Sequence, residues 1–133
     1  VLRIPLVVGG GIGSLEDMET LFAVGVSKVS VGTAALMRPQ LIAEAAERYG
    51  SGRMVVAIDG RRNPDMPSGF EVTASGGRRA VGRDVVEWAR ECEQLGAGEL
   101  LTTSMDGDGT LAGLAHAPRA NARCHSLPIR PRR

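Results

Sequence analysis

The sequence predicts an α/β chain forming part of a TIM (βα)8 barrel of the phosphate-binding kind, and three observations predict it. Short apolar strands and helical segments alternate as β-loop-α four times over, with the fourth helix missing. The strands are apolar along their length, which suits a parallel sheet covered on its faces rather than one with a wetted side. Each strand's C-terminal end carries glycines, hydroxyls or a carboxylate, and barrel enzymes place their chemistry at those ends. A complete barrel needs about 250 residues. The chain has 133, so a contiguous piece of a barrel is expected rather than a whole one. A flavodoxin-like open sheet is the plainer alternative.

The elements follow in order. Residues 4–12 (IPLVVGGGI) form a short buried strand running into a glycine turn. Ser14 starts a helix with Asp17 three residues on, Leu15, Met18, Leu21 and Phe22 recur at helical spacing, and Gly25 stops it. A second strand covers residues 28–33 (KVSVGT). Pro39 opens a helix with Leu41, Ile42, Ala45, Ala46 and Tyr49 on its apolar side, closed by Gly50. Residues 54–59 (MVVAID) form a third strand, apolar until its last residue. Residues 63–69 are rich in turn formers, and residues 70–81 (FEVTASGGRRAV) predict a small hairpin inserted in a loop. Asp84 caps a helix carrying Val85, Val86, Trp88, Ala89, Cys92 and Leu95, closed by Gly96. Residues 99–104 (ELLTTS) form a fourth strand that leads into residues 106–110 (DGDGT).

Composition bounds the function. With 43% hydrophobic and 23% charged residues, the chain is ordinary for a soluble globular protein, and no apolar run approaches membrane-span length. No secretory signal is visible, and the chain opens on Val1 without an initiator Met, as a fragment would. Cys92 and Cys124 form no motif. Cys92 reads as a small core residue, and a reducing cytoplasm is the default location. Residues 1–113 hold all 15 acidic residues and 11 of the 16 basic ones, a net −4. An acidic globular part argues against nucleic acid as the main partner. Residues 114–133 hold five arginines, three prolines and both histidines, with neither helical nor strand periodicity. Two segments are therefore expected: a barrel portion over 1–113, and an off-pattern tail over 114–133. A frameshifted or mis-joined C-terminus explains that tail better than a disordered basic arm, because a helix is due there.

The strand ends carry the candidate chemistry. At Gly9-Gly10-Gly11 the absent side chains let backbone N–H groups approach an anion, although a glycine triplet also serves a plain tight turn. Gly32 and Thr33 pair a small residue with a hydroxyl, again suited to phosphate. Asp59 is a lone carboxylate after five apolar residues. Burial there is costly unless the group is hydrogen-bonded or used, and would raise its pKa into the range useful for acid–base work. The competing reading pairs Asp59 with Arg61, Arg62 or neighbouring amides. Thr103, Ser104, Asp106 and Asp108 enrich the fourth end. At the opposite ends stand Lys28 and Glu99. Period-2 alternation puts Lys28 on the face of Ser30 and Gly32, and Glu99 on the face of Leu101 and Thr103. On physics alone these two make a structural ion pair.

The stretches 7–12 (VVGGGI), 28–35 (KVSVGTAA), 55–62 (VVAIDGRR), 70–89 (FEVTASGGRRAVGRDVVEWA) and 96–110 (GAGELLTTSMDGDGT) together resemble the cyclase subunit of imidazole glycerol phosphate synthase, the HisF family. The glycine turn and the DGDGT segment are shared with the sister HisA isomerases, and the 70–89 stretch separates the two. The resemblance implies the third to sixth βα units of the barrel. It also implies a lyase of histidine biosynthesis that closes an imidazole ring on a bis-phosphorylated ribulosyl nucleotide, with ammonia from a HisH-type glutaminase partner and no cofactor or metal. Asp59 then matches one of two catalytic aspartates, the other lying on a first strand absent here. Gly11, Gly32 and Thr33 match one phosphate site, Thr103 matches a hydroxyl lining the substrate, and Asp108 and Gly109 match a loop near the second phosphate. Lys28 and Glu99 match charged residues gating ammonia.

The family pattern breaks after the DGT segment, where Gly113 is followed by Leu114-Ala115-His116. A chain lacking one catalytic aspartate and part of the substrate site is expected to be inactive by itself, and its unpaired edge strands favour aggregation. Two alternatives stand beside the cyclase: a HisA-type isomerase, and a non-catalytic half-barrel that binds phosphate or a partner chain.

Overall fold

A computed structural model describes residues 6–104 and the strand Cys124–Pro128. The elements in chain order are β1 (Val7–Val8), α1 (Leu15–Ala23), β2 (Lys28–Val31), α2 (Thr33–Met37), α3 (Gln40–Tyr49), a 3-10 turn (Ser51–Arg53), β3 (Met54–Arg62), β4 (Phe70–Ala74), β5 (Arg79–Asp84), α4 (Val85–Leu95), β6 (Glu99–Ser104) and β7 (Cys124–Pro128). β1, β2, β3 and β6 are mutually parallel in that spatial order, each joined to the next through a helical crossover. This is the wall of a partial βα barrel, as expected.

The helix signals work as the sequence implies. Ser14 Oγ accepts the Asp17 N–H at 3.1 Å, and Asp17 Oδ2 returns a bond from the Gly13 N–H, satisfying donors left free at the start of α1. At α4, Asp84 Oδ2 accepts from the Val86 and Glu87 N–H groups. Alternation sorts the strands into two faces. Val29, Val31, Met54, Val56, Ile58 and Leu100 face outward, where they join Met18, Leu41, Ile42, Trp88 and Cys92 in one core. Cys92 is a buried core residue, as expected. Its thiol is pushed up to about 12 by that burial, with the Glu91 charge adding to it.

Four features depart from the sequence expectation. β1 is only Val7–Val8, and Leu6 and Val7 are 42% and 50% exposed rather than buried, because among the described strands β1 has a neighbour on its β2 side alone. β2 ends at Val31, since Gly32 and Thr33 already turn into the short helix α2, which no periodicity signalled. β3 continues past Asp59 to Arg62, because the inserted hairpin gives those residues a partner. The fourth departure is in the tail. Its residues 124–128 pair antiparallel to β6, Leu100 opposite Leu127, although the tail lacks any alternating pattern. The edge of β6 away from β3 carries N–H and C=O groups open to pairing, and backbone pairing needs no side-chain periodicity.

The hairpin is the one antiparallel insertion among the described residues preceding β6. β2 reaches only as far as Val56 along the edge of β3; beyond it, Asp59–Arg62 pair with β4 on that edge. On its other edge β3 pairs β6 from Val55 to Gly60. β4 and β5 therefore stand on top of the end of β2.

Candidate active site

Position along the strands decides what each inner-face residue meets. Lys28, Ser30 and Gly32, Val55, Ala57 and Asp59, and Glu99, Leu101 and Thr103 share the inner face by alternation. From the N-terminal to the C-terminal end, this face passes from charge through apolar side chains to polar groups.

At the N-terminal end Lys28 Nζ lies 2.8 Å from Glu99 Oε2. Their strands are not neighbours, because β3 runs between them, so the ion pair reaches across the inner face beside Val55. The Lys28 side chain is 40% exposed, and an ion pair this open contributes about 1 kcal/mol at most. Val55, Ala57 and Leu101 then line a trough of about 490 Å3 that runs from Glu99 to Asp59 and Thr103.

At the C-terminal end Asp59 and Thr103 are register partners on β3 and β6. Half-buried Asp59 has its carboxyl raised above the ordinary carboxylate value by burial. Its carboxylate accepts no hydrogen bond among the described residues. Arg61 pairs instead with Glu71 at 3.7 Å, so the alternative in which Arg61 neutralises Asp59 is not what forms. A desolvated carboxyl without a partner, open to a cavity, is suited to taking up and returning a proton.

That cavity measures about 630 Å3 and brings Asp59 together with Gly11, Gly32 and Thr33. Gly10 and Gly11 have φ of +87° and +72°, a region that favours glycine, and a Cβ at either would meet nothing within 4 Å. Glycine is required there by the turn, and the turn leaves open space beside the backbone. Gly32, in contrast, has a negative φ. Asp108 and Gly109 lie outside the described residues, and Thr103 lines the adjoining trough rather than the glycine cavity.

Sequence reasoning missed Ser75 and Gly76 at the hairpin tip, which complete the wall of the glycine cavity. The Ser75 N–H donates to Thr33 Oγ1 at 3.0 Å. The glycine pair at 76–77 marked a turn but not its destination, which depends on β2 being shorter than β3. Among the described residues no cluster of His, Cys, Asp and Glu could hold a metal ion, and no helix is long and apolar enough to cross a membrane.

Parallel βα units, with a glycine-lined cavity at the C-terminal strand ends and a carboxyl beside it that has no partner among the described residues, define a partial βα barrel. The chain belongs to the histidine biosynthesis protein family, whose model it matches over residues 1–127. It is 54% identical over 114 residues to the imidazole glycerol phosphate synthase subunit HisF of Kineococcus radiotolerans, covering 83% of this chain and 44% of that protein. The HisF subunit of Corynebacterium diphtheriae is 52% identical over the same shares, and that of Acidobacterium capsulatum 54% identical over 84% and 43%. The chain thus spans less than half the length of these relatives.

Proposed function

We propose that this chain supplies the middle of a HisF-type cyclase. In that reaction the phosphoribulosyl intermediate and ammonia yield imidazole glycerol phosphate and an aminoimidazole carboxamide ribotide. The observation that carries the reading is Asp59: a desolvated carboxyl with no partner among the described residues, on the wall of the same cavity as Gly11, Gly32 and Thr33. In this reading the glycine turn and Thr33 hold one substrate phosphate, Asp59 moves a proton during ring closure, and the Thr103 hydroxyl orients the substrate beside it. Asp108 and Gly109 serve the second phosphate. The trough from the Lys28–Glu99 pair to Asp59 gives ammonia a path with apolar walls. A HisH-type glutaminase would then dock at the N-terminal end, in the cytoplasm. The relatives' names favour the cyclase over the HisA-type isomerase.

The chain by itself is inactive in this reading, because the partner carboxylate of the first strand is not on it. The test replaces the matching segment of the Kineococcus HisF subunit with residues 7–104 and supplies substrate with an ammonium salt. Ring closure by the chimera, but not by the purified chain, is the expected result. A silent but folded chimera would overturn the assignment, and turnover by the chain alone would overturn its inactivity.

A further inference from the structure

The hairpin insertion is held by specific side-chain hydrogen bonds at its base, along its ladder and at its tip. Glu71, buried on β4, takes hydrogen bonds from Asn63 Nδ2 at 3.0 Å and from the Gly82 N–H of β5 at 2.9 Å. Thr73 pairs with Asp59 in the ladder, and its hydroxyl donates to the Asp59 carbonyl at 3.3 Å. Two residues further on, Ser75 has φ +56°, the only described non-glycine residue with positive φ. Such a conformation is costly for a residue with a Cβ and persists where the surroundings hold it. Here a ladder anchored on Asp59 holds it from one side and Thr33 from the other.

The direction of the Thr33–Ser75 bond has a chemical meaning. A threonine hydroxyl has two acceptor lone pairs and one proton. With the Ser75 N–H on one lone pair, Thr33 Oγ1 is engaged as an acceptor, and its proton has no acceptor among the described residues. Thr33 lines the cavity, so that proton is available to a ligand. A ligand oxygen that accepts, such as a phosphate's, suits that proton.

We infer that the hairpin tip is a working wall of the anion cradle. Ser75 is a positioning residue that fills one of the two acceptor positions of the Thr33 hydroxyl and fixes that oxygen at the cavity wall, so that its proton serves a phosphate monoester bound there. This rests on the reading of the glycine cavity as a phosphate site. The hairpin also ties the ligand to Asp59, because the β4 segment that aims Ser75 is laddered to the Asp59 backbone.

The test is a titration of the 15N-labelled full chain with inorganic phosphate. The Ser75 and Gly76 amide resonances should move along one binding curve with those of Gly11 and Gly32. Thr33→Val should weaken binding by about tenfold or more, with Thr33→Ser restoring it to within about twofold. A glycine inserted after Gly77 leaves Thr33 untouched but displaces the Ser75 N–H. It too should weaken binding several-fold while the dispersed spectrum reports an intact fold. If Gly11 and Gly32 respond while Ser75 and Gly76 stay still and the insertion is silent, the inference fails and the cradle stands. If no amide responds to phosphate, the cradle reading fails and the inference falls with it.

Discussion

Asp59 and Glu71 project from the same face of the β3–β4 ribbon, two residue pairs apart, and their surroundings push their carboxyl groups in opposite directions. Burial raises Asp59. The Asn63 amide is the largest influence on Glu71 and lowers it; burial opposes this, while the Gly82 N–H and Arg61 assist. One ladder thus holds a carboxyl poised to exchange protons and a carboxylate fixed as a brace. The split follows from position. Asp59 sits where β3 passes from parallel to antiparallel pairing, at the cavity, whereas Glu71 sits inside the hairpin where donors converge.

Asp59→Asn should separate function from stability. Its carboxyl is raised above the ordinary 3.8, so the ionised form is disfavoured in the folded chain. That cost is absent in acid, where folded and unfolded chains are both protonated, and is complete once the pH exceeds the folded value. The variant should therefore match or exceed the parent's stability at pH 7, by no more than about 1 kcal/mol because a half-exposed carboxylate keeps much of its water. The difference should vanish near pH 3 in denaturant titrations. In the active chimera the same change should cost roughly 10^2- to 10^4-fold in ring closure.

Glu71→Gln should show the reverse pH dependence. A carboxylate lowered below its ordinary 4.5 stabilises the fold above that pH, and the contribution is lost as the pH falls through the lowered value. At pH 7 the variant should melt below the parent, because a side-chain amide retains only one acceptor where Asn63 and Gly82 both donate. The gap should narrow progressively below pH 4.5. Thermal melts at pH 7 and pH 3.5 measure it, and an equal gap at both would show that Glu71 is not charged in the folded chain.

Cys92 should be silent toward thiol reagents until the chain unfolds. With its thiol pushed up to about 12, the thiolate at pH 8 is roughly a thousandfold scarcer than for an exposed cysteine of pKa near 8.5. In a Cys124→Ser variant, labelling by a chromogenic disulfide should be negligible in buffer and prompt in denaturant. Fast labelling in buffer would mean that α4 detaches from the sheet.

The order of strands and helices was legible because each segment advertised itself locally: Ser14 and Asp84 as caps, the all-apolar residues 54–58 as a covered strand, the glycine pair at 76–77 as a turn. Alternation also put Lys28 on one face with Ser30 and Gly32, and Glu99 on one face with Leu101 and Thr103; that Asp59 shares their side of the sheet came from the strand register. Relations set by unequal lengths were not legible. Nothing local says that β2 stops at Val31 while β3 continues to Arg62, so neither the seat of the hairpin nor the contact of Ser75 with Thr33 could be read. Exposure of Leu6 and Val7 was also hidden, since an apolar run does not report which of its sides acquires a neighbour.

Nine-residue β3 bonds to β2, β4 and β6, and no other described strand meets three partners. It is the keystone of this sheet, and damage to it is not local. A lesion in Met54–Val56 loosens the ladder beneath Lys28 and Glu99, and one at Asp59 or Gly60 reaches the hairpin and β6 at once. β1, tied to the sheet through Val7 and Val8 alone, carries only the glycine turn with it if it frays. Cooperativity therefore radiates from one strand, and the carboxyl with the least support of its own is mounted on the member that the sheet can least afford to lose.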